Sequence, residues 1–203
     1  MKRFIVLTSL LLSASAFAYT YVITDGMNFD GTLSDHETLL MTGGGGKYIG
    51  LLGWSSAVIQ GTAPYNQEIY PVGGIERLDV TAYAHLDLSG GEVYEINIGA
   101  YATAVLSGGK INRLVTTQSA WQYVGQPPVP VWNPHVEMII KDWDYNTTTK
   151  ILNGIWGNDS LFNIQLVNVS GYSPTIDNIE FTIIPEPMTM VLLGLGGLLI
   201  RRK

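Results

Sequence analysis

The sequence contains no cysteine, so neither a disulfide nor thiolate chemistry is available to it. Basic residues are also scarce. Residues 19–184 hold six Lys and Arg against sixteen Asp and Glu, a net charge of −10. Because binding to a phosphate backbone requires clustered Lys and Arg, we expect no nucleic-acid partner. We also expect no cofactor, and the stability of the folded body must come from packing alone.

The N-terminus has the three parts of a secretory signal, in order. The first three residues are Met-Lys-Arg, residues 4–12 form an apolar run, and Ala16 and Ala18 form a small-residue cleavage site. The apolar run is too short for a permanent membrane-spanning helix. We therefore predict a helical signal peptide over residues 1–18, exported through the Sec translocon and removed by signal peptidase.

The C-terminus combines Pro185-Glu186-Pro187, a mostly apolar run of thirteen residues over 188–200, and a final Arg-Arg-Lys. As a helix the run would rise about 20 Å, which is less than the ~30 Å hydrocarbon core of a bilayer. Basic residues remain on the cytoplasmic side, so both termini should face inward and the middle of the chain outward. We predict a short hydrophobic helix that anchors the chain transiently.

These three elements resemble the PEP-CTERM sorting signal of Gram-negative bacteria, and the resemblance covers residues 185–203. Proteins with this signal resemble substrates of exosortases, membrane-embedded cysteine enzymes that process the tail near the motif. The resemblance implies that the processing enzyme recognises Pro185, Glu186 and Pro187. It also implies that Arg201 and Arg202 hold the tail at the inner membrane face. An ordinary C-terminal anchor is the alternative.

A unit of about eighteen residues repeats through the middle of the chain. Gly90-Gly91 and Gly108-Gly109 begin two copies eighteen residues apart, and Gly73-Gly74 begins another copy seventeen residues earlier. A diverged copy is predicted to begin at Gly45-Gly46. Paired glycines favour turns, and alternating apolar residues favour short strands. In the copy that begins at Gly90, the alternating residues are Val93, Ile96, Ile98, Ala102, Ala104 and Leu106.

Three short strands per unit approximate one coil of a parallel β-helix, whose coils stack ~4.8 Å apart around a continuous core. Glycine pairs interrupt every window that could hold a helix. We therefore predict an all-β fold with a short right-handed parallel β-helix, or solenoid, over residues 19–120. Residues 19–40 should supply edge strands. A meandering antiparallel sandwich is the alternative, because short strands with glycine turns also fit it.

The pattern changes in the last third of the chain. Four longer candidate strands are Val136–Trp143, Lys150–Trp156, Leu161–Val169 and Ile176–Ile184. We predict that they form an antiparallel cap over residues 121–184, because the open end of a solenoid would otherwise expose unpaired strand edges.

The Leu-Ser-Gly-Gly units at Leu88–Gly91 and Leu106–Gly109 resemble those of repeat-containing PEP-CTERM proteins of planctomycete-type bacteria. The run Gly171–Ile179, just before the tail, is similar to theirs too. The resemblance implies the repeat fold and a surface location. It implies no activity that can be transferred to this chain.

Candidate chemical sites are few. The run Asp142–Asn146 begins like a calcium loop, but Thr147 and Asn153 replace the required glycine and glutamate, so a polar hairpin fits better. The three histidines include no pair at metal-ligand spacing, and we predict no metal site. The acidic residues of the repeats suit either a solvated face or a glycan-active enzyme. They are Glu76, Asp79, Glu92 and Glu95, with Arg77, Lys110 and Arg113 nearby.

Aromatic residues offer the best argument for binding. Trp121, Tyr123 and Trp132 cluster where the repeats end, together with Trp143 and Trp156. Such rings stack on sugars when exposed and fill cores when buried. We expect an exported, noncatalytic protein of the cell surface or extracellular matrix. A carbohydrate-binding module for extracellular polysaccharide is the alternative, and a glycan-active enzyme is a third hypothesis.

Overall fold

A computed structural model describes residues 19–64, 74–118 and 133–185. The predicted signal peptide, and the tail from Glu186 onward, lie outside these ranges. The described part contains fourteen β-strands and one short 3-10 helix, η1. These elements are β1 (Tyr21–Ile23), β2 (Gly31–Leu33), β3 (Thr38–Met41), β4 (Gly45–Leu51), β5 (Ser56–Ile59), β6 (Gly74–Val80), β7 (His85–Leu88), β8 (Glu92–Ile98), β9 (Thr103–Leu106), β10 (Lys110–Thr116), β11 (His135–Asn146), β12 (Ile151–Trp156), β13 (Leu161–Val167), η1 (Thr175–Asn178) and β14 (Ile179–Ile183).

The prediction of an all-β fold is confirmed, since strands dominate the three described ranges and no α-helix occurs in them. Within those ranges, none of the helical segments has the length and apolar character needed to cross a membrane.

All fourteen strands belong to one open sheet. One arm of it, the odd ladder, pairs β1, β3, β5, β7, β9 and β11 in parallel. The other arm, the even ladder, pairs β2, β4, β6, β8, β10 and β13 in parallel. From β2 to β10, the chain alternates between the two ladders at every step. Each unit therefore adds one strand to each ladder.

Strand register follows an eighteen-residue step. Leu78 pairs with Ile96, and Ile96 pairs with Leu114, each eighteen residues on. The predicted step of seventeen between Gly73 and Gly90 is therefore one residue short. Between Ile49 and Leu78 the step is twenty-nine residues, because the connection from β5 to β6 holds an insertion.

Each described unit holds two strands, and the prediction of three was wrong. Alternation breaks in the middle of β8, where Tyr94 and Glu95 both face outward between the buried Val93 and Ile96. The seven-residue strand stays continuous through this irregularity. The unit thus consists of one seven-residue strand and one four-residue strand, β8 and β9.

The predicted alternating residues point inward. All six in the unit that begins at Gly90 are buried. They belong to one apolar cluster that runs from Ile23 to Leu166 and includes side chains from both ladders. At ~25 cal/mol per Å² of buried apolar surface, this cluster is the main source of stability in a chain without disulfides.

The last third of the described chain joins the two ladders. β11 pairs with β12, and β12 with β13, in antiparallel fashion, as predicted. β11 begins parallel to β9 and then pairs with β12 from Ile140 to Asn146, with a bulge between Ile140 and Asp142. The fourth predicted strand differs, because β14 runs parallel to β11. Residues 168–178, which include η1, carry the chain back to the start of β11 before β14 begins.

The N-terminal segment supplies the strands at the two ends of the sheet order, β1 and β2, as predicted. The connection between them folds over the end of the core. Its Phe29 is partly buried against the apolar cluster, with its ring 5.2 Å from that of Tyr21. This contact covers part of the apolar surface that an open end would expose.

Candidate binding surface

Four rings occupy equivalent positions in successive units. Leu33, Leu51, Val80 and Ile98 are in register along the even ladder, and a ring follows three residues after each of them. Parallel register therefore brings these rings into one row where even strands lead to odd strands. We call the row the aromatic column, and it consists of His36, Trp54, Tyr83 and Tyr101.

The rings of the aromatic column contact one another along the row. Trp54 and Tyr83 stack with centroids 4.5 Å apart and planes 8° apart. Tyr101 follows at 5.0 Å from Tyr83 with a 36° tilt, and His36 precedes Trp54 at 6.4 Å and 12°. Such offset and tilted arrangements are favourable for aromatic pairs. Mutual stacking therefore holds the rings in position before any ligand arrives.

The backbone of the aromatic column adopts an uncommon conformation at two of its residues. His36 and Tyr101 have φ angles of 75° and 60°, a left-handed conformation that is uncommon outside glycine. Trp54 remains 59% exposed and Tyr83 50% exposed. Trp54 and Tyr83 cover one face of each other by stacking. The exposed surface of the column therefore consists of ring edges and of the part of the Trp54 ring that His36 does not cover. Large exposed aromatic surface of this kind is unusual away from a binding site.

The aromatic residues predicted as ligand contacts, Trp121, Tyr123 and Trp132, lie outside the described residues. In chain order they belong to the connection from β10 to β11, which again leads from the even to the odd ladder. Trp143 and Trp156, the other two tryptophans of the predicted cluster, differ from each other. Trp156 is fully buried and its indole Nε1 donates to the Gly109 carbonyl at 3.0 Å, whereas Trp143 is 39% exposed.

Two of the acidic residues of the repeats, Asp79 and Glu95, belong to a charge-balanced network on the even ladder, whereas Glu76 is exposed. Arg113 and Arg77 lie 2.7 and 3.8 Å from the two Glu95 carboxylate oxygens. The Arg77 guanidinium also donates to Asp79 at 2.9 Å, and Asn97 donates to both Asp79 and Glu95. The hydrogen bond to Asp79 is the main cause that raises the pKa of Arg77. This network links three successive even strands.

One further acidic residue is paired, and Asp79 makes an additional contact. Glu92 forms an ion pair with Lys110. Asp79 influences the phenol of Tyr48: burial, the Asp79 charge and a hydrogen bond to that carboxylate raise the pKa of Tyr48. The carboxylates of Asp79, Glu92 and Glu95 therefore face basic side chains, an amide and a phenol. These contacts stabilise the exposed face of the even ladder.

The structure forms a hairpin where the calcium-like run lies. Asn146 Oδ1 accepts hydrogen bonds from the backbone N–H groups of Thr148 and Thr149 at 2.9 and 3.0 Å, which closes the turn between β11 and β12. The polar-hairpin interpretation of Asp142–Asn146 is thus confirmed. Among the described residues, no group of three or more His, Asp or Glu side chains is placed to hold a metal ion.

One histidine has an arrangement that sequence spacing alone did not reveal. His85 Nδ1 lies 2.7 Å from Thr103 Oγ1 and its Nε2 lies 3.2 Å from Asp87 Oδ1. Thr103 faces His85 directly across the odd ladder. The three side chains lie on a half-exposed strand face. We therefore interpret the contact between His85 and Thr103 as a hydrogen bond that links two units.

A cleft of about 650 Å³ lies where β10 and β13 diverge. These strands pair only from Arg113 and Gln165 onward, and the buried Trp156 ring bonds to Gly109 just before β10 begins. Amide side chains and Lys110 share the lining of the cleft with apolar groups. The lining residues are Lys110, Ile111, Asn112, Asn153, Gly154, Ile155, Leu161, Phe162 and Asn163.

Comparison with known proteins adds no assignment, because no family model, curated protein or solved structure matches the chain.

Proposed function

We propose that the chain is an exported, noncatalytic protein of the cell surface or extracellular matrix. In this proposal residues 1–18 direct secretion across the inner membrane of a Gram-negative-type bacterium. Residues 185–203 act as a PEP-CTERM tail that an exosortase-type enzyme processes. In support, the last ladder hydrogen bond is made by Ile184, and Pro185 is exposed immediately after it. The motif thus begins directly after the last described strand.

We further propose that the body is a short right-handed β-solenoid over residues 19–120 with a cap over 121–184. Three observations support it: consecutive strands alternate between two parallel ladders, the register advances by eighteen residues, and a single apolar cluster includes both ladders. A solenoid suits a surface protein because it repeats one side-chain position along an extended face.

We also propose that the protein binds another component of the cell surface. The observation that supports this role is the aromatic column, in which Trp54 and Tyr83 are exposed and mutually stacked. Preordered rings lose little conformational freedom when a ligand binds. In this role the protein acts by contact with another surface component.

Export and tail processing are tested on the native protein by its intact mass, terminal sequences and cell fraction. We expect an N-terminus at Tyr19, a C-terminus near Pro185–Pro187, and location in the envelope or medium. An intact Lys203 in the inner membrane would show that the tail is a plain anchor. An N-terminus at Met1 in the cytoplasm would contradict export altogether.

The exposed column favours one specific second function, binding of extracellular polysaccharide. We expect the mature protein to be retained on at least one member of a polysaccharide panel. Trp54→Ala and Tyr83→Ala should each weaken retention about two- to tenfold, since one aromatic contact contributes about 0.5–1.5 kcal/mol.

Tyr172→Ala is the matched control for this experiment, because Tyr172 is 40% exposed but lies outside the column. Equal loss in all three variants would argue against the column as the binding surface. Release of soluble fragments from the panel would instead support a glycan-active enzyme.

A further inference from the structure

The folded body ends very close to the apolar tail. Ile184 N–H donates to the Ile140 carbonyl at 2.8 Å, which holds the backbone to the edge of β11. Only residues 185–187 separate this bond from the apolar run that begins at Met188. Three residues span at most about 10 Å when fully extended. If the run inserts in a bilayer, the end of β14 must lie at the bilayer surface.

The end of β14 is itself apolar. Ile183 is 58% exposed and Ile184 is 40% exposed. Successive residues of a strand point to opposite faces, so these two side chains make both faces of the strand end apolar. Phe181 lies on the same face as Ile183, and Trp143 stacks on it with centroids 4.2 Å apart and planes 11° apart. We call Trp143, Phe181, Ile183 and Ile184 the apolar tip.

Trp143 in this tip differs from the other described tryptophan of the C-terminal part. The indole N–H of Trp156 is satisfied in the core, whereas that of Trp143 makes no hydrogen bond to any part of the chain that the structure describes. A partly exposed tryptophan is suited to the membrane interface, where its ring meets apolar chains and its N–H meets water.

The charges around the tip indicate which kind of lipid headgroup the tip can contact. Asp142 and Asp144 flank Trp143 and are both exposed. The nearby Lys141 is paired with Asp159, so it does not offset them. Anionic headgroups would repel this acidic rim, whereas zwitterionic headgroups would not.

We propose that the apolar tip rests in the headgroup layer of a zwitterionic bilayer, next to the point where the tail enters it. This inference depends on the proposed membrane insertion of residues 188–200. It adds that the C-terminal end of the folded body makes direct contact with lipid. The N-terminal end of the sheet, with β1 and β2, would then point away from the membrane.

Because the chain has no cysteine, single labels can be placed freely. Three variants of the full chain, Ile183→Cys, Ser34→Cys and Leu193→Cys, are labelled with an environment-sensitive fluorophore. They are reconstituted in phosphatidylcholine vesicles that contain a lipid with a nitroxide quencher either at the headgroup or midway along an acyl chain, because a label at the middle of an inserted run lies in the hydrocarbon core, below the headgroups. Ser34 is exposed in the connection between β2 and β3, at the opposite end of the sheet, and Leu193 reports on the tail.

We expect the acyl-chain nitroxide to quench the label at position 193, the headgroup nitroxide to quench the label at position 183, and neither to quench the label at position 34. Quenching at 193 without quenching at 183 would overturn the membrane contact and leave the proposed anchoring intact. A blue-shifted but unquenched label at 183 would also overturn it, since the tip would then be covered by protein. The absence of quenching at 193 would contradict the anchoring, and the contact would fall with it.

A second comparison tests the residues of the tip. Trp143→Ser, made in the chain labelled at position 183, should reduce the quenching, whereas Trp54→Ser should leave it unchanged although Trp54 is the more exposed tryptophan. Replacing one third of the phosphatidylcholine with phosphatidylglycerol should also reduce it. Equal quenching in all of these samples would contradict the assigned chemistry of the tip.

Discussion

The two described tryptophans of the C-terminal strands differ in burial and in hydrogen bonding. Trp156 and Trp143 lie thirteen residues apart on neighbouring strands, yet one is fully buried with its N–H bonded and the other is 39% exposed. Trp156 also packs on Phe162, with ring centroids 4.5 Å apart. A buried ring with a satisfied N–H stabilises a core, whereas a half-exposed ring is available for contact.

Trp156→Phe should therefore lower the free energy of unfolding by about 2 kcal/mol, because it opens a cavity and leaves the Gly109 carbonyl without its donor. Trp143→Phe, the matched control, should change it by no more than about 0.5 kcal/mol. Urea unfolding of the mature protein measures both values. Similar losses in the two variants would contradict the assigned burial of Trp156.

At the scale of strands, the alternation of apolar residues predicted most of the inward positions. Val93, Ile96 and Ile98 are buried in β8 as expected, as are Ala104 and Leu106 in β9. Hydrophobic periodicity succeeds here because each strand has one buried and one solvated face. The predicted number of strands per unit was wrong, because each unit holds one seven-residue and one four-residue strand, as β8 and β9 show.

Strand direction in the C-terminal part was only partly predictable. Short connections with turn residues correctly indicated the antiparallel pairs β11–β12 and β12–β13. The connection before β14 is longer and contains η1, and β14 lies parallel to β11. Sequence patterns identify a strand, but its direction in the sheet depends on where the preceding connection leaves the chain.

The unit at β2 and β3 escaped the search for repeats because it has no glycine pair. Leu33 nevertheless lies in register with Leu51, eighteen residues later, and the aromatic column begins in this unit with His36. Glycines mark turns that need a left-handed backbone, but here Asp35 and His36 adopt positive φ themselves, at 44° and 75°. The register, not the glycine pattern, defines the unit.

At the scale of the whole molecule, the proposed solenoid should make stability nearly a sum over units and the contacts between them. Deleting Gly90–Ser107 removes one eighteen-residue step and joins Ser89 to Gly108, which preserves the Leu-Ser-Gly-Gly sequence. We expect this variant to fold and to unfold cooperatively in urea, with a smaller dependence of unfolding free energy on urea because less surface is buried. It should be less stable, since Arg113 would then face Arg77 without Glu95 between them.

The matched control deletes only nine residues, Gly90–Ile98, which removes an even-ladder strand and leaves β9 to follow β7 directly. Two successive strands would then compete for the odd ladder, so we expect loss of cooperative unfolding. Circular dichroism and urea titration of both deletions distinguish the outcomes. Cooperative folding of the nine-residue deletion, or failure of the eighteen-residue deletion to fold, would contradict a stack of equivalent units.

The sequence by itself determined the all-β class, the inward residues of the repeats and the absence of disulfides, because these depend on local composition and on a period of two along each strand. Only the tertiary structure decided which residues meet across units. The aromatic column joins His36 to Tyr101, sixty-five residues later, through parallel register. The apolar tip likewise joins Trp143 to Phe181. Such contacts depend on the positions of insertions and crossings, which no local pattern encodes.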